Sequence, residues 1–415
     1  MAGARDREFP DSIENRASWV TAFVSLAILS VSYGSALIVI VGLKPIAASL
    51  AADRSAIALA GALAWLGMGL GGILMGWVAD RIGVRKTVIF GALMTAAGLA
   101  LSATGQLWAL YIGHGLLVGI LGNGAIYPPL VIYVSRWFDR RRGTAIALIS
   151  SGQYIAGVLW PSVFELGLSH IAWRGTMLAF AGLTVVGIVP LALALRPAPQ
   201  PLPARPVAPR ARRRSRVLGM PVNQVQALLC FAGFLCCVPM AIPSAHLVAF
   251  CSDLGIPAAQ GAAMLSVLLG AAFLSRQFWG WLADNIGGLR AVLVASACQT
   301  LAIAAFLATQ NEFGLFAVSA AFGLGFSGIV PAYVLAIREL FPSREASWRV
   351  PAFLLFGMAG MAFGSWFAGA LYDHFGFYAP AFAAGAGFNL LNLLVLGFLL
   401  LRSAREARPQ LARAV

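Results

Sequence analysis

Residues Gly270 to Arg290 read GAAFLSRQFWGWLADNIGGLR, and two features in this stretch organise the rest of the chain. Arg276 sits inside an apolar run that begins near Pro257, at a depth where a guanidinium is expensive in hydrocarbon. Shortly after it, Gly280-Trp281-Leu282-Ala283-Asp284-Asn285-Ile286-Gly287 nearly copies Gly76-Trp77-Val78-Ala79-Asp80-Arg81-Ile82-Gly83. The copy predicts a duplicated chain, and the buried charge predicts a ligand site.

Composition sets the class. Of the 415 residues, 60% are hydrophobic and 11% charged, whereas soluble domains carry roughly 25% charge. Apolar runs recur along the chain, each near the ~20 residues that a helix needs to cross a bilayer. No small-residue cleavage site follows the first run, so it reads as a retained helix and not a signal peptide. The five cysteines (Cys230, Cys236, Cys237, Cys251, Cys298) lack metal-ligand spacing and read as packing thiols.

Twelve spans are predicted, at 19–42, 55–79, 86–104, 107–134, 144–167, 173–195, 222–250, 258–282, 290–309, 313–338, 347–371 and 378–401. The joining segments alternate in charge. Of the 29 Lys and Arg, only Lys44, Arg54, Arg174 and Arg276 fall outside the segments of one face. The positive-inside rule therefore places both termini in the cytoplasm. The net charge of +14 is thereby a topology signal that also suits anionic lipid, and nucleic-acid binding is not expected. The Pro- and Arg-rich stretch 196–221 reads as an extended cytoplasmic linker. It divides a cytoplasmic segment 1–18 and a six-helix bundle 19–195 from a second bundle 222–401 and a tail 402–415.

The two halves repeat in register. Gly76, Trp77, Asp80 and Gly83 map onto Gly280, Trp281, Asp284 and Gly287 at one constant offset, which also carries Gly119 onto Gly323 and Gly124 onto Gly328. Holding that offset across separate segments is the mark of a structural repeat. The expected fold is thus an all-α membrane protein of twelve transmembrane helices, in two six-helix bundles related by a pseudo-two-fold axis.

These residues carry a resemblance. GWVADRIGVRK matches the loop motif of the major facilitator superfamily at Gly76, Asp80, Arg81, Gly83, Arg85 and Lys86. Within that superfamily the chain resembles the monocarboxylate and oxalate–formate branch, through Ser244–Phe250 with Asp253-Leu254-Gly255, Ser275-Arg276 before Asp284, and the Trp19 entry to the first span. The resemblance implies a rocking transporter of a bacterial inner membrane, monomeric and without a cofactor, in which the span-8 arginine binds the anion. Asp80, at the C-terminal end of its span, opposes its own helix dipole and is better placed against another helix or an arginine. With Asp284 in the second copy it is the expected conformational latch between the halves.

No carboxylate is predicted mid-span to pair with Arg276, which leaves its donors for a substrate carboxylate. Oxalate carriers of this branch place a lysine in span 11, yet Leu355 to Met361 contains none. Animal monocarboxylate carriers have a lysine in span 1 and an acid one turn before the arginine; here the stretches are Ser32–Leu37 and Ala272. One buried cation favours a singly charged acid, lactate- or pyruvate-like or aromatic, accompanied by a proton or exchanged. Further candidates to line the cavity are Asn123, Tyr127, Gln153, Tyr154, His246 and Tyr333. His114 and His246 are the candidate proton carriers, though each candidate could equally be a satisfied interhelical hydrogen bond. The alternative is an exporter of drugs or other hydrophobic compounds, which needs no Arg276. His114, His170, His246 and His374 lie on separate segments and predict neither a metal site nor an enzyme.

Overall fold

A bilayer offers the backbone no water, so each apolar stretch must satisfy its peptide groups internally and becomes a helix. The structure is a computed structural model that describes residues 13–197 and 216–411. Residues 1–12 of the expected N-terminal segment 1–18, most of the 196–221 linker and the last residues of the tail 402–415 lie outside the described residues.

Eleven helices among the described residues are long and apolar enough to cross a membrane. They are α1 (Arg16–Val41), α2 (Arg54–Ile82), α3 (Val84–Ser102), α4 (Leu107–Ser135), then Arg142–Leu193, α7 (Val222–Asp253), α8 (Ala258–Ile286), α9 (Gly288–Ala308), α10 (Glu312–Leu340), α11 (Trp348–Phe375) and α12 (Ala379–Arg405). The long segment Arg142–Leu193 turns back at Ala172, whose φ of 57° and ψ of 174° are not helical. It therefore supplies two crossings, α5 (142–171) and α6 (173–193), which brings the total to twelve. A short antiparallel hairpin, β1 (Arg216–Val217) and β2 (Met220–Pro221), leads into α7. It replaces extended linker at that point because Leu218 and Gly219 both take positive φ, 54° and 69°, and close a tight turn.

The repeat is visible in the backbone. Gly83, between α2 and α3, has φ 89° and ψ 148°; its counterpart Gly287, between α8 and α9, has φ 84° and ψ 155°. Only glycine adopts this region without strain, which explains its place in both copies.

Several helices are interrupted. α1 is interrupted at Tyr33, and Gly42 separates its end from a short helix, Leu43–Leu50. In α4, Ile112–Asn123 is π-helical. α10 breaks between Phe326 and Ile329. There Gly328 lies so close to Trp279 of α8 that an added Cβ would sit 2.2 Å from the tryptophan Cβ. Interrupted helices at membrane depth are tolerated where they line a cavity.

The halves touch along α5 against α8 and α2 against α11. Leu269 of α8 occupies the space a side chain on Gly157 would need, and Gly369 of α11 packs on the backbone of Arg54 and Ser55. We call the face carrying the α2–α3 and α8–α9 loops the basic face. On the opposite face a polar cluster joins the halves. Arg54 donates through both terminal nitrogens to Asp253, at 2.5 and 2.8 Å, and its guanidinium carbon stacks 3.7 Å from the centre of the Tyr372 ring. Lys44 pairs with the same carboxylate at 2.9 Å. Asp373 of α11 accepts from the backbone nitrogens of Arg54 and Ser55, at 3.0 and 2.8 Å, and so caps the N-terminus of α2.

Candidate functional site

Between the halves, at mid-depth, lies a cavity of about 200 Å³. Its polar wall comes from four helices. Arg276 of α8 faces Tyr154 of α5, with 5.3 Å between the guanidinium carbon and the ring centre. Gln153 of α5, Tyr127 of α4 and Tyr33 of α1 complete that wall. Tyr33 and Tyr127 meet edge to face, ring centres 5.8 Å apart. The interruption in α1 falls on Tyr33 itself, which lines the cavity.

The remaining walls are soft and apolar. Met68, Met240, Met358 and Met361 line them with Trp65 and Phe326. Thioethers are unbranched and polarisable and adapt to an irregular guest. Among the described residues no carboxylate lies within ion-pair distance of Arg276. A guanidinium and phenolic hydroxyls on one side, facing methionines on the other, can orient one anionic group and hold an apolar body.

The structure brings four of the expected cavity residues together: Arg276, Tyr127, Gln153 and Tyr154. It places Asn123, His246 and Tyr333 elsewhere. Asn123 is 4% exposed, accepting from the Ser32 hydroxyl at 2.5 Å and donating to the Ser35 hydroxyl at 3.3 Å. It therefore braces α1 on either side of Tyr33. Tyr333 donates to Asn392 Oδ1 at 2.7 Å, inside a closed network of α9, α10 and α12. His246 is buried between the Tyr378 hydroxyl, 3.0 Å from Nδ1, and the Ser365 carbonyl, 2.7 Å from Nε2. His114 is fully buried beside the Ser102 hydroxyl at 3.0 Å, away from the cavity lining. For Asn123, Tyr333 and His246, polar neighbours on other helices or turns satisfy the side chain locally, whereas His114 Nε2 is buried with no hydrogen-bond partner among the described residues. Tyr33, Ser244 and Ser327 line the cavity without having been singled out from sequence. The Ser32–Leu37 stretch is the signal that was available for Tyr33.

The expected latch residues gather on the basic face. Asp80 pairs with Arg136, just past the end of α4, at 3.0 Å, within its own half, and both side chains are largely exposed. Arg81 stacks over Trp77 at 3.5 Å, and Arg85 donates to the Leu195 carbonyl at the end of the first bundle. Gly76 meets nothing that would exclude a side chain, while Lys86 and Asp284 are exposed.

Comparison with known proteins agrees with this architecture. The model of the Major Facilitator Superfamily matches residues 22–309 and 229–414. Monocarboxylate transporter 13 of Bos taurus is 28% identical over 347 residues, 80% of this chain and 78% of that protein. The MFS-type transporter pynF of Aspergillus niger is 25% identical over 320 residues, 74% of this chain and 72% of its own. Among solved structures, the nucleoside transporter NupG superposes with a TM-score of 0.72 at 14% identity, covering 91% of this chain and 98% of that one. Twelve crossings, the duplicated glycine loops and a cavity between the halves converge with these matches: the chain is a membrane transporter that belongs to the major facilitator superfamily.

Proposed function

We propose that this transporter carries a small organic monocarboxylate by alternating access, together with a proton or in exchange for another solute. The observation that carries the reading is Arg276, which faces the cavity beside Tyr154 and has no acidic partner within reach among the described residues. A charge at that depth is costly unless neutralised, and a substrate carboxylate supplies the missing countercharge. The relative named monocarboxylate transporter 13 supports the same substrate class. The single cation suits one carboxylate, lactate- or pyruvate-like or aromatic. By the positive-inside rule the basic face is cytoplasmic, in an inner membrane, and the sealed opposite face then makes this an inward-facing state of a monomer. Asp80, Arg81, Arg85, Lys86 and Asp284 act as the latch that closes the basic face in the other half of the cycle.

Uptake of a panel of labelled acids into proteoliposomes tests the substrate class. Monocarboxylates are expected to be taken up, and Arg276→Gln to abolish the uptake while leaving the protein monodisperse. Uptake unchanged in Arg276→Gln, or preference for a dianion, would sink the reading. A second reading, export of hydrophobic compounds, is favoured by the methionine and aromatic walls. It predicts that Arg276→Gln still extrudes a lipophilic dye.

A further inference from the structure

We propose that His246 is the proton-binding site of this transporter, and that its neutral form is what keeps the opposite face closed. The imidazole links the cavity to the gate. Its Nε2 lies 2.7 Å from the carbonyl oxygen of Ser365, a residue that lines the cavity. A carbonyl only accepts, so Nε2 carries the hydrogen. In the neutral ring Nδ1 is then an acceptor, and the Tyr378 hydroxyl donates to it at 3.0 Å. The same Tyr378 oxygen accepts from Arg54 at 3.0 Å, and Arg54 holds Asp253. One chain of hydrogen bonds therefore runs from the cavity wall through His246 and Tyr378 to the ion pair that joins the halves.

Each link has its direction fixed by the tautomer. A proton added at Nδ1 reverses the bond to Tyr378: the nitrogen must now donate, and the phenolic hydrogen loses its acceptor. Two cations, Arg54 and the imidazolium, then converge on one phenolic oxygen in a site of which His246 exposes none of its surface. That arrangement favours release of Arg54 from Tyr378, and with it separation of α2 from α11 and α12. The groups facing the imidazole region are Arg54 from α2, Asp373 and Tyr372 from α11, Tyr378 just before α12, Asp253 from the end of its own helix, and Lys44 beyond it. Asp373 is tied to the backbone of Arg54 and Ser55 while the gate is shut. A ligand that prefers one state shifts the population towards it; here the proton prefers the state open on the opposite face, and by reciprocity that state binds the proton more tightly.

This inference rests on the transport reading above, but its readout needs no substrate. Spin labels at Ala48→Cys and Ala379→Cys, on a cysteine-free background, report the gap across the opposite face. From about pH 8 to about pH 5, either side of the ordinary imidazole pKa of about 6.5, the long-distance population should rise, by up to about tenfold per pH unit. His246→Gln, which keeps a donor for Ser365 and cannot titrate, should flatten that response. Should His246→Gln fail to fold, the unaltered protein labelled with 15N-histidine gives a second measurement, expected to find the neutral Nε2–H tautomer in the closed state. A pH-independent gap, a full response in His246→Gln, or an Nδ1–H tautomer overturns the proposal. Anion uptake that survives Arg276→Gln would remove the substrate assignment and leave this titration untouched.

Discussion

Arg276 and Tyr154 face one another across the two halves, 5.3 Å from guanidinium carbon to ring centre, so the candidate anion site exists only when both bundles contribute to it. Cation–π contact holds the guanidinium in place at a cost far below that of an ion pair, since the ring keeps no charge of its own. Arg276→Lys is expected to lose most anion uptake, because an ammonium lacks the planar fork that grips a carboxylate. Tyr154→Phe keeps the ring face and removes the hydroxyl, and should raise KM several-fold while sparing folding. Equal uptake by all three proteins would mean that neither group meets the substrate.

Asp253 is the hinge of charge on the opposite face, clasped by Arg54 and Lys44 from the other half. Asp253→Asn leaves those two cations facing a neutral amide in a half-buried setting. Removing one partner of a fully buried pair costs about 3–5 kcal/mol; discounted for the partial exposure here, about 2 kcal/mol is expected. That exceeds the ~1.4 kcal/mol of a tenfold change. The ratio of open to closed molecules at the opposite face should thus rise by more than tenfold in Asp253→Asn, read by the same pair of spin labels.

How far the sequence carried these conclusions depends on the range of each interaction. Apolar runs, glycine loops and charge asymmetry are local signals, and they located the helices and the copied motif to within a few residues. Arg276 stood out because a charge in an apolar run is anomalous whatever surrounds it. Tyr33 did not, because its place in the cavity depends on how α1 packs on α4, where Asn123, far along the chain, bonds Ser32 and Ser35 on either side of it. Likewise His246 looked like a substrate ligand until its partner Tyr378 was located just before the last helix. Arg54 and Asp253 each lie at the end of a span, and no periodicity reveals that the ends meet. Polar residues in helices find partners across helices, and that pairing is not written in spacing.

Gly369 provides a steric test of the same closure. A Cβ there would lie 2.8 Å from Ser55 Cα and 2.9 Å from its nitrogen, both backbone atoms that cannot rotate away. Gly369→Ala must therefore push α2 from α11 at the opposite face. Its effect should resemble that of Asp253→Asn, a longer gap with the protein still folded, although no charge has changed. An unaltered gap would show that packing on Gly369 does not set the closed state.

Asp80 separates stability from turnover. Among the described residues its ion pair in this state is the exposed one with Arg136, and such pairs contribute about 0–1 kcal/mol. Asp80→Ala should leave the melting temperature almost where it was. If the residue is a latch for the conformation closed on the basic face, turnover should nevertheless fall, because that conformation loses a contact absent here. Unchanged transport would refute the latch and leave Asp80 as an ordinary solvated turn residue.

Asn392 tests whether the buried polar network of the second bundle is structural. It accepts from the Tyr333 hydroxyl at 2.7 Å and donates to Ser296 Oγ at 3.0 Å and Asn389 Oδ1 at 3.1 Å, all among fully buried residues. Asn392→Leu orphans the tyrosine hydroxyl in a medium with no water to replace the lost partner. Each buried orphan costs about 1–3 kcal/mol, though membrane hydrogen bonds measured by double-mutant cycles average nearer 0.6 kcal/mol, so a loss of about 2 kcal/mol is expected. Tyr333→Phe removes the orphan as well, so the double substitution should cost less than the sum of the two singles. Thermal unfolding in detergent measures all three. Strict additivity would mean that the two side chains act independently, and that the network is not what fixes α10 against α12.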